Sequence, residues 1–223
     1  MKIILFGATG MIGQGVLKVA LEDPGVERVL AVVRSPLDEQ HPRLLALEHK
    51  DFKDYTALAG ELVGYDACLF CLGVSAGGMS EAEYTAVTYD VTVAAAKAVL
   101  AASPGARFLY VSGAGTDSSE RGRAMWARVK GRTENTLLAL PFKGVHMLRP
   151  GIIQPTDGIV SKTPAYRYAY AAMGWLLPLA KALAPRHIIT TRELARAMLA
   201  VARGGSALKV LEAPDLIALG RSA

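Results

Sequence analysis

Five short apolar runs, separated by longer stretches of mostly helical character, restrict this chain to a small set of folds. The runs are rich in β-branched, aromatic and leucine residues, as expected of strands that are buried on both faces. They are residues 2–6 (KIILF), 28–33 (RVLAVV), 67–72 (ACLFCL), 106–112 (ARFLYVS) and 144–149 (GVHMLR), with a weaker candidate at about 46–51. Because strands that alternate with helices form a parallel sheet between two helical layers, the sequence predicts an α/β fold with a doubly wound parallel sheet.

The helical stretches between these runs cover residues 11–22, 54–63, 80–102 and 121–140. After Pro150 the pattern changes, and a turn-rich loop leads to helix candidates at 165–183 and 190–202 and to a short strand at 207–212. No break in composition marks a linker, so we expect a single domain over residues 1–223, in which about 151–223 contribute a small helical cap over the ligand edge. The aromatic residues of 165–184 are compatible with a pocket cap, a partner contact or a membrane-surface contact.

Composition and charge exclude several kinds of function. The net charge of +5 suits an anionic ligand, but the positive charges are scattered and no nucleic-acid-binding signature accompanies them. The two cysteines, Cys68 and Cys71, lie three apart in one predicted strand and so point to opposite faces, and the four histidines are dispersed, so no metal site is expected.

The apolar runs also bear on location. The N-terminal run is too short for a signal peptide, and the 13 uncharged residues of 168–180 are too few for a membrane span. The sequence therefore predicts a cytoplasmic protein with no transmembrane segment. A homodimer is compatible with a soluble chain of this size. The partner is expected to be a small-molecule substrate, which the sequence does not identify.

The segment FGATGMIGQG follows the first apolar run directly and opens a helix. In this setting Gly7 permits a tight turn, Gly10 lets the backbone approach a pyrophosphate, and Gly13 lets the helix pack closely on the strand. The backbone N–H groups from Thr9 to Ile12 then face the phosphates at the positive end of the helix. The predicted phosphate contacts are therefore Gly7, Thr9, Gly10, Met11, Ile12 and Gly13.

The end of the second predicted strand bears on which dinucleotide is bound. An acidic residue there would bind the ribose 2′-hydroxyl of NAD, but this chain has Arg34, and Asp38 follows only beyond Pro36. A guanidinium suits a 2′-phosphate through charge-assisted bonds, which favours NADP over NAD. The alternative is that Arg34 is a solvated surface residue.

Several motifs occur in an order that resembles a known superfamily. GATGMIG, VVRSP, CLG, YVSGAG, VKG and LRPGIIQP are similar to the atypical short-chain dehydrogenases/reductases, in particular the NAD(P)H-binding branch that includes the Tat-interacting-protein-like oxidoreductases. The resemblance covers about residues 2–155 and implies a Rossmann fold. It also implies that Asp51 and Phe52 flank the adenine and that Cys71, Leu72 and Gly73 line the cofactor path. Pro150, Gly151 and Ile152 would contact the nicotinamide side through their backbone.

The resemblance also implies a catalytic pair that this chain holds only in part. Members of the superfamily use a serine after the fifth strand and a Tyr-x-x-x-Lys helix, whose lysine also holds the nicotinamide ribose. This chain keeps Ser112 and Lys130, which we take as the catalytic candidates, but it has Gly113 where relatives often have a second serine. Trp126 stands where the tyrosine belongs, and an indole N–H is a donor only.

Three hypotheses follow from this departure. The chain is an oxidoreductase that transfers hydride to a small carbonyl, enone or quinone, with a displaced acid or with water in the tyrosine's role. The displaced acids considered are Tyr89, Tyr166, Tyr168 and Tyr170. Alternatively it is a non-catalytic NADP(H)-binding redox-sensing or interaction module. In the third hypothesis Trp126 is core packing and Lys130 is a surface lysine.

Overall fold

In the computed structural model of the protein, which describes residues 1–159 and 187–222, seven parallel strands form the central sheet. The strands of the described chain are β1 (Lys2–Phe6), β2 (Arg28–Val33), β3 (Leu44–Glu48), β4 (Ala67–Phe70), β5 (Arg107–Val111), β6 (Gly144–Arg149), β7 (Ile152–Gln154), β8 (Ile188–Thr190) and β9 (Val210–Glu212). The order across the sheet is β3-β2-β1-β4-β5-β6-β9, while β7 and β8 form a separate parallel pair. The predicted doubly wound parallel sheet is confirmed.

Helices cover both faces of this sheet. The described helices are α1 (Met11–Glu22), α2 (Glu81–Thr85), α3 (Val91–Ala102), α4 (Met125–Leu138), α5 (Thr191–Ala202) and α6 (Ala213–Ser222). Successive residues of a strand point to opposite faces, so β1 contributes to two separate cores. Ile3 and Leu5 pack with α1, α5 and α6 on one face, whereas Ile4 and Phe6 pack with α3 and α4 on the other. Cys68 belongs to the second core and Cys71 packs against the first, as the strand geometry predicts.

Two predicted helices differ from the structure. Residues 54–63 form only a three-residue 3-10 turn, Thr56–Leu58, because Gly64 takes a positive φ and the segment is anchored by buried Tyr55 and Leu62. The predicted helix at 80–102 contains a five-residue π-helix, Ala86–Asp90, between α2 and α3. With that insertion, Glu81–Ala102 is the one helix of the described chain that is long and apolar enough to cross a membrane. That is weak evidence, since core helices meet the same test.

The helix predicted at 121–140 begins only at α4. The residues before α4 are held in a turn by the Asp117 carboxylate, which accepts hydrogen bonds from the Gly122 and Ser119 backbone N–H groups at 2.6 and 3.0 Å. Aspartate side chains commonly compete with helix in this way. The loop of residues 113–124 is thereby fixed beside the helix that carries Lys130.

The C-terminal residues complete the sheet. The strand predicted at 207–212 is β9, which extends the sheet next to β6, and α5 packs between α1 and α6 on one face. Within residues 187–222 of the predicted cap, β9 is thus an edge strand of the central sheet, and α5 and α6 belong to the helical layer on one of its faces. The helix α6 was not predicted, although Pro214 in its first turn is a common start signal. The helix predicted at 165–183 lies outside the described residues.

A capping box fixes the start of α5. The Thr190 hydroxyl accepts a hydrogen bond from the Glu193 backbone N–H at 3.0 Å, and the Glu193 carboxylate accepts one from the Thr190 backbone N–H at 2.8 Å. Because the side chain satisfies a helix N–H group that has no partner inside the helix, we expect Thr190→Ala to lower the free energy of unfolding by about 1 kcal/mol in urea denaturation. Thr190→Ser, which keeps the hydroxyl, should stay within experimental error of wild type, and an equal loss in both variants would contradict this role.

Candidate functional site

The parallel topology gathers the predicted site residues at one edge of the sheet. All seven strands run in the same direction, so their carboxyl ends lie together. The segments at this edge are 7–13 after β1, Arg34 after β2, 51–52 after β3, 71–73 after β4, Ser112 after β5 and 150–152 after β6. Strand order reverses between β1 and β4, and ligands of open α/β sheets bind in the crevice at such a switch point.

The loop between β1 and α1 is packed tightly against the loop after β4. Gly7 has a φ of +81°, and a Cβ placed on it would lie 2.8 Å from the Cys71 carbonyl carbon and from the Leu72 nitrogen. A Cβ on Gly13 would lie 2.0 Å from the Gly7 carbonyl oxygen. Any side chain at Gly7 or Gly13 would therefore collide with backbone. The two glycines let α1 start directly beside the end of β1.

Gly10 has a different environment. Its φ of −82° suits any residue, and a Cβ there would meet, within 4 Å, only the Gly7 carbonyl oxygen at 3.3 Å. The packing of the described chain therefore leaves open space beside Gly10. The helix α1 begins here with no side-chain cap and no acidic residue in its first turn, so its first N–H groups are available to an anion. The open space and the uncapped helix fit a pyrophosphate.

Arg34 and Asp38 both lie near this loop. Arg34 is exposed after β2 and makes no hydrogen bond or ion pair with the chain that the structure describes. Asp38 is exposed as well, and it lines a cavity of about 670 Å³ whose walls include Ala8 and Thr9. The sequence placed Asp38 out of reach beyond Pro36, but the structure puts it on a wall shared with the glycine loop. The end of β2 therefore presents an exposed guanidinium and a nearby carboxylate.

The residues proposed for the adenine and for the cofactor path differ in burial. Phe52 is buried, and its ring packs edge-on against the Phe6 ring with the ring centres 6.4 Å apart, whereas Asp51 is exposed. Cys71 donates its backbone N–H to the Phe6 carbonyl at 3.0 Å, and burial raises the pKa of its thiol well above its usual value. Leu72 and Gly73 follow with increasing exposure.

Ser112 lies in a short hydrogen-bonded segment after β5. Its hydroxyl is buried and lies 3.0 Å from the Thr116 hydroxyl, which donates to the Gly113 carbonyl at 2.8 Å. The Ala114 backbone N–H donates to the Pro150 carbonyl at 3.2 Å, so the segment after β5 is joined to the segment after β6. A Cβ on Gly113 would meet no atom of the described residues within 4 Å, so the described part of the chain leaves open space where relatives often have a second serine.

Trp126 and Lys130 lie one turn apart on α4. The Trp126 ring is partly buried against Gly115, where a Cβ would lie 3.5 Å from the ring. Lys130 is also partly buried, with its ammonium 5.3 Å from the centre of the Tyr110 ring, at cation–π distance. Its ammonium makes no hydrogen bond or ion pair within residues 1–159 and 187–222. Burial lowers the pKa of Lys130 to about 8, and the Glu134 carboxylate opposes that shift.

Of the four tyrosines that were candidates for a displaced acid, the structure describes Tyr89. Tyr89 accepts a hydrogen bond from Thr136 at 3.2 Å, and the Arg132 guanidinium lies 4.4 Å from the centre of its ring. Since Thr136 is ten residues after Trp126, or about 15 Å along a helix, this hydroxyl lies far from the start of α4. Tyr166, Tyr168 and Tyr170 lie outside the described residues.

Sequence reasoning did not single out three residues around Lys130. These are Tyr110 below its ammonium, Glu134 one turn further along α4, and Arg149, which binds Glu134. The spacing of Lys130 and Glu134 is a helix-face signal that was available in the sequence. The pairing of Glu134 with Arg149 was not available in the sequence, because Arg149 lies on β6 whereas Glu134 lies on α4.

Fold and site together define an α/β domain with the features of a dinucleotide-binding protein. The chain belongs to the NAD(P)H-binding family, whose sequence profile matches residues 7–138. This match confirms the resemblance found in the motifs at the level of an NAD(P)H-binding family.

Two named fungal proteins are similar to this chain in sequence. "Protein FMP52, mitochondrial" from Eremothecium gossypii is 32% identical over 155 residues, which span 69% of this chain and 66% of that protein. The protein of the same name from Chaetomium globosum is 28% identical over 228 residues, 98% of this chain and 97% of that protein. Both names place those relatives in mitochondria. The cytoplasmic location predicted from the N-terminal sequence is therefore wrong on this comparison.

Solved structures share the fold. A short-chain dehydrogenase from Burkholderia cenocepacia in complex with NADP superposes with a TM-score of 0.65 at 18% identity, covering 100% of this chain and 92% of that chain. The Bordetella bronchiseptica enzyme WbmF in complex with NAD+ gives 0.67 at 16% identity, covering 99% and 77%. One structure holds NADP and the other NAD+, so the shared fold does not select between the two.

The contrast between Gly13 and Gly10 can be tested directly. We expect Gly13→Ala to lower the free energy of unfolding by about 3 kcal/mol, because its methyl group must displace backbone. Gly10→Ala should lower stability far less, yet it should weaken nucleotide binding, because its methyl group enters the open space at the start of α1. Denaturation and calorimetric titration with NADPH would measure the two effects. A Gly10→Ala variant that binds NADPH as wild type does would contradict the assignment.

Proposed function

We propose that this protein is an NADP(H)-dependent oxidoreductase that reduces a small carbonyl, enone or quinone. The observation that carries the proposal is the partly buried ammonium of Lys130. It lies on the helix that follows β5, at the sequence position of the superfamily lysine, with no ion pair in the described chain. In the described chain this ammonium has the Glu134 carboxylate one helical turn away but makes no direct ion pair, which is costly at a partly buried position, and a bound ligand would offset that cost. Its surroundings also argue against the hypothesis of a surface lysine.

The residues at the carboxyl edge would hold the cofactor along the sheet, from the loop after β3 at the adenine end to the segment after β6 at the nicotinamide end. The loop of residues 7–13 would hold the pyrophosphate, and Arg34 the 2′-phosphate. Asp51 and Phe52 would flank the adenine, and 71–73 would line the path toward the nicotinamide. Lys130 and the backbone of 150–152 would hold the nicotinamide end. The cofactor, when bound, supplies the hydride.

Two side chains of this chain would act on the substrate. The hydroxyl of Ser112 would orient the substrate oxygen, and its neighbour Thr116 can exchange hydrogen bonds with it at 3.0 Å. Lys130 would hold positive charge beside the oxygen that gains electron density. With Trp126 in place of the tyrosine, the proton would reach that oxygen from water, since an indole N–H does not exchange a proton at neutral pH.

The second candidate function is a binding module without turnover. The observation that favours it is Trp126, which fills the tyrosine position and packs against Gly115. In such a module the oxidised and reduced cofactors would differ in their effect on self-association or on a protein partner.

The cofactor preference provides the first test. We expect calorimetric titration to show tighter binding of NADPH than of NADH, because the Arg34 guanidinium has no partner among residues 1–159 and 187–222. Arg34→Ala should weaken NADPH binding about tenfold or more and leave NADH binding nearly unchanged. Arg28→Ala, at the opposite end of the same strand, is the matched control. Equal weakening of both nucleotides by Arg34→Ala would refute the 2′-phosphate contact.

Turnover is tested by NADPH oxidation with a panel of quinones, enones and aldehydes. We expect Lys130→Met to reduce the rate about 100-fold or more, while Lys97→Met, at an exposed position of α3, has no effect. Because the active form of Lys130 is the ammonium and its pKa is about 8, the rate should be full below pH 8 and fall as the pH rises through it. If NADPH binds tightly but no acceptor is reduced, the oxidoreductase proposal fails and the binding module remains.

A further inference from the structure

Arg149, the last residue of β6, joins three other parts of the chain through one side chain. Its guanidinium donates to the two carboxylate oxygens of Glu134 at 3.0 and 2.5 Å, a bidentate pair. It also donates to the Glu212 carboxylate at 3.1 Å and to the Ser118 hydroxyl at 2.6 Å. The contacts tie β6 to α4, to the end of β9 and to the loop of residues 113–124.

Glu134 is fully buried and lies one helical turn after Lys130. Burying a carboxylate is costly unless it is paired and hydrogen-bonded, and the bidentate bond from Arg149 supplies that pairing for Glu134. The bond also raises the pKa of Arg149. Lys130 and Glu134 share one face of α4, and Arg149 directly precedes Pro150 in the segment proposed to contact the nicotinamide side.

The charged and titratable groups around Lys130 come from four elements. Tyr110 of β5 lies under its ammonium, and Tyr84 of α2 lies beside Tyr110. Glu134 lies on α4, as Lys130 does, and the guanidinium of Arg149 at the end of β6 donates to the Glu134 carboxylate. Among these groups Glu134 is the acidic one that stabilises the Lys130 ammonium.

We propose that Glu134 and Arg149 are positioning residues for Lys130. The pair holds the face of α4 that carries Lys130 against the carboxyl end of β6, and the Glu134 carboxylate keeps Lys130 in its ammonium form. This inference rests on the proposed function, in which Lys130 holds the nicotinamide end of the cofactor and acts on the substrate oxygen.

The ionisation of Lys130 can be followed without cofactor. In protein labelled with ¹³C and ¹⁵N lysine, the Lys130 side-chain NMR signal, assigned by its loss in Lys130→Met, would be titrated with pH. We expect Glu134→Gln to lower the titration midpoint by about one pH unit, because it removes the opposite charge and keeps the shape. The control is Glu81→Gln, which removes a carboxylate that pairs with Arg128 of α4 at an exposed position. An unchanged midpoint in Glu134→Gln would overturn the proposal.

A second variant guards against loss of folding. Glu134→Gln leaves the Arg149 guanidinium without its main partner, whereas the double variant Glu134→Gln, Arg149→Met removes both charges, a change that proteins often tolerate. Its Lys130 midpoint should lie between those of Glu134→Gln and wild type, because the guanidinium that opposes the ammonium is removed together with the carboxylate. A midpoint above that of wild type in the double variant would contradict the proposal, because the pair would then disfavour the Lys130 ammonium.

The same variants separate this inference from the proposed function. If Lys130 acts in turnover, the alkaline fall of the NADPH-dependent rate should move down in pH together with the NMR midpoint. A midpoint that moves while the rate profile stays fixed would remove Lys130 from the reaction and leave the positioning pair intact. If the midpoint does not move in wild-type-like folded variants, the pair has no such role whatever the rate does.

Discussion

The candidate site depends on one backbone contact, the approach of α1 to the Gly7 carbonyl oxygen. A Cβ at Gly13 would lie 2.0 Å from that oxygen, so α1 can begin where it does only because residue 13 is glycine. The contact points the uncapped first turn of α1 at the switch point between β1 and β4. The partial positive charge of that turn then faces the place where the phosphates of a dinucleotide would lie. The close approach of α1 to β1 would therefore fix where the pyrophosphate of the proposed cofactor binds.

The other half depends on a side-chain contact of a different kind. Lys130 is carried by α4, and α4 is fixed to the sheet by the ion pair between Glu134 and Arg149. A bidentate guanidinium–carboxylate bond defines both distance and orientation, which an apolar contact between the same elements would not do. The glycine loop and this ion pair would therefore define the two ends of the proposed cofactor site along one sheet edge. The hydrogen bond from Ala114 to Pro150 joins the loops between them.

Much of this architecture follows from local sequence. The strands are apolar on both faces and alternate with helices, so the doubly wound parallel sheet could be predicted from sequence, and the glycine loop after the first strand indicated where the phosphates of a dinucleotide would lie. The sequence misled where tertiary contacts decide the outcome. Residues 54–63 have helical composition, but burial of Tyr55 and Leu62 and a positive φ at Gly64 allow only a short turn. The pairing of Glu134 with Arg149 joins residues 15 apart on different elements, and no local pattern indicates it.

Trp126 stands where the superfamily has tyrosine, and its role is best judged from the residues around it. The indole packs against Gly115, so the tyrosine's position is filled and its hydroxyl is replaced by ring surface. Had the site lost all use, the partly buried ammonium of Lys130 would have no reason to persist, since burial alone disfavours its charge. The chain instead keeps a carboxylate beside that ammonium and a guanidinium that neutralises the carboxylate. Retaining two buried charges in order to keep a third one ionised is costly for packing alone, and it is intelligible if the ammonium binds a ligand.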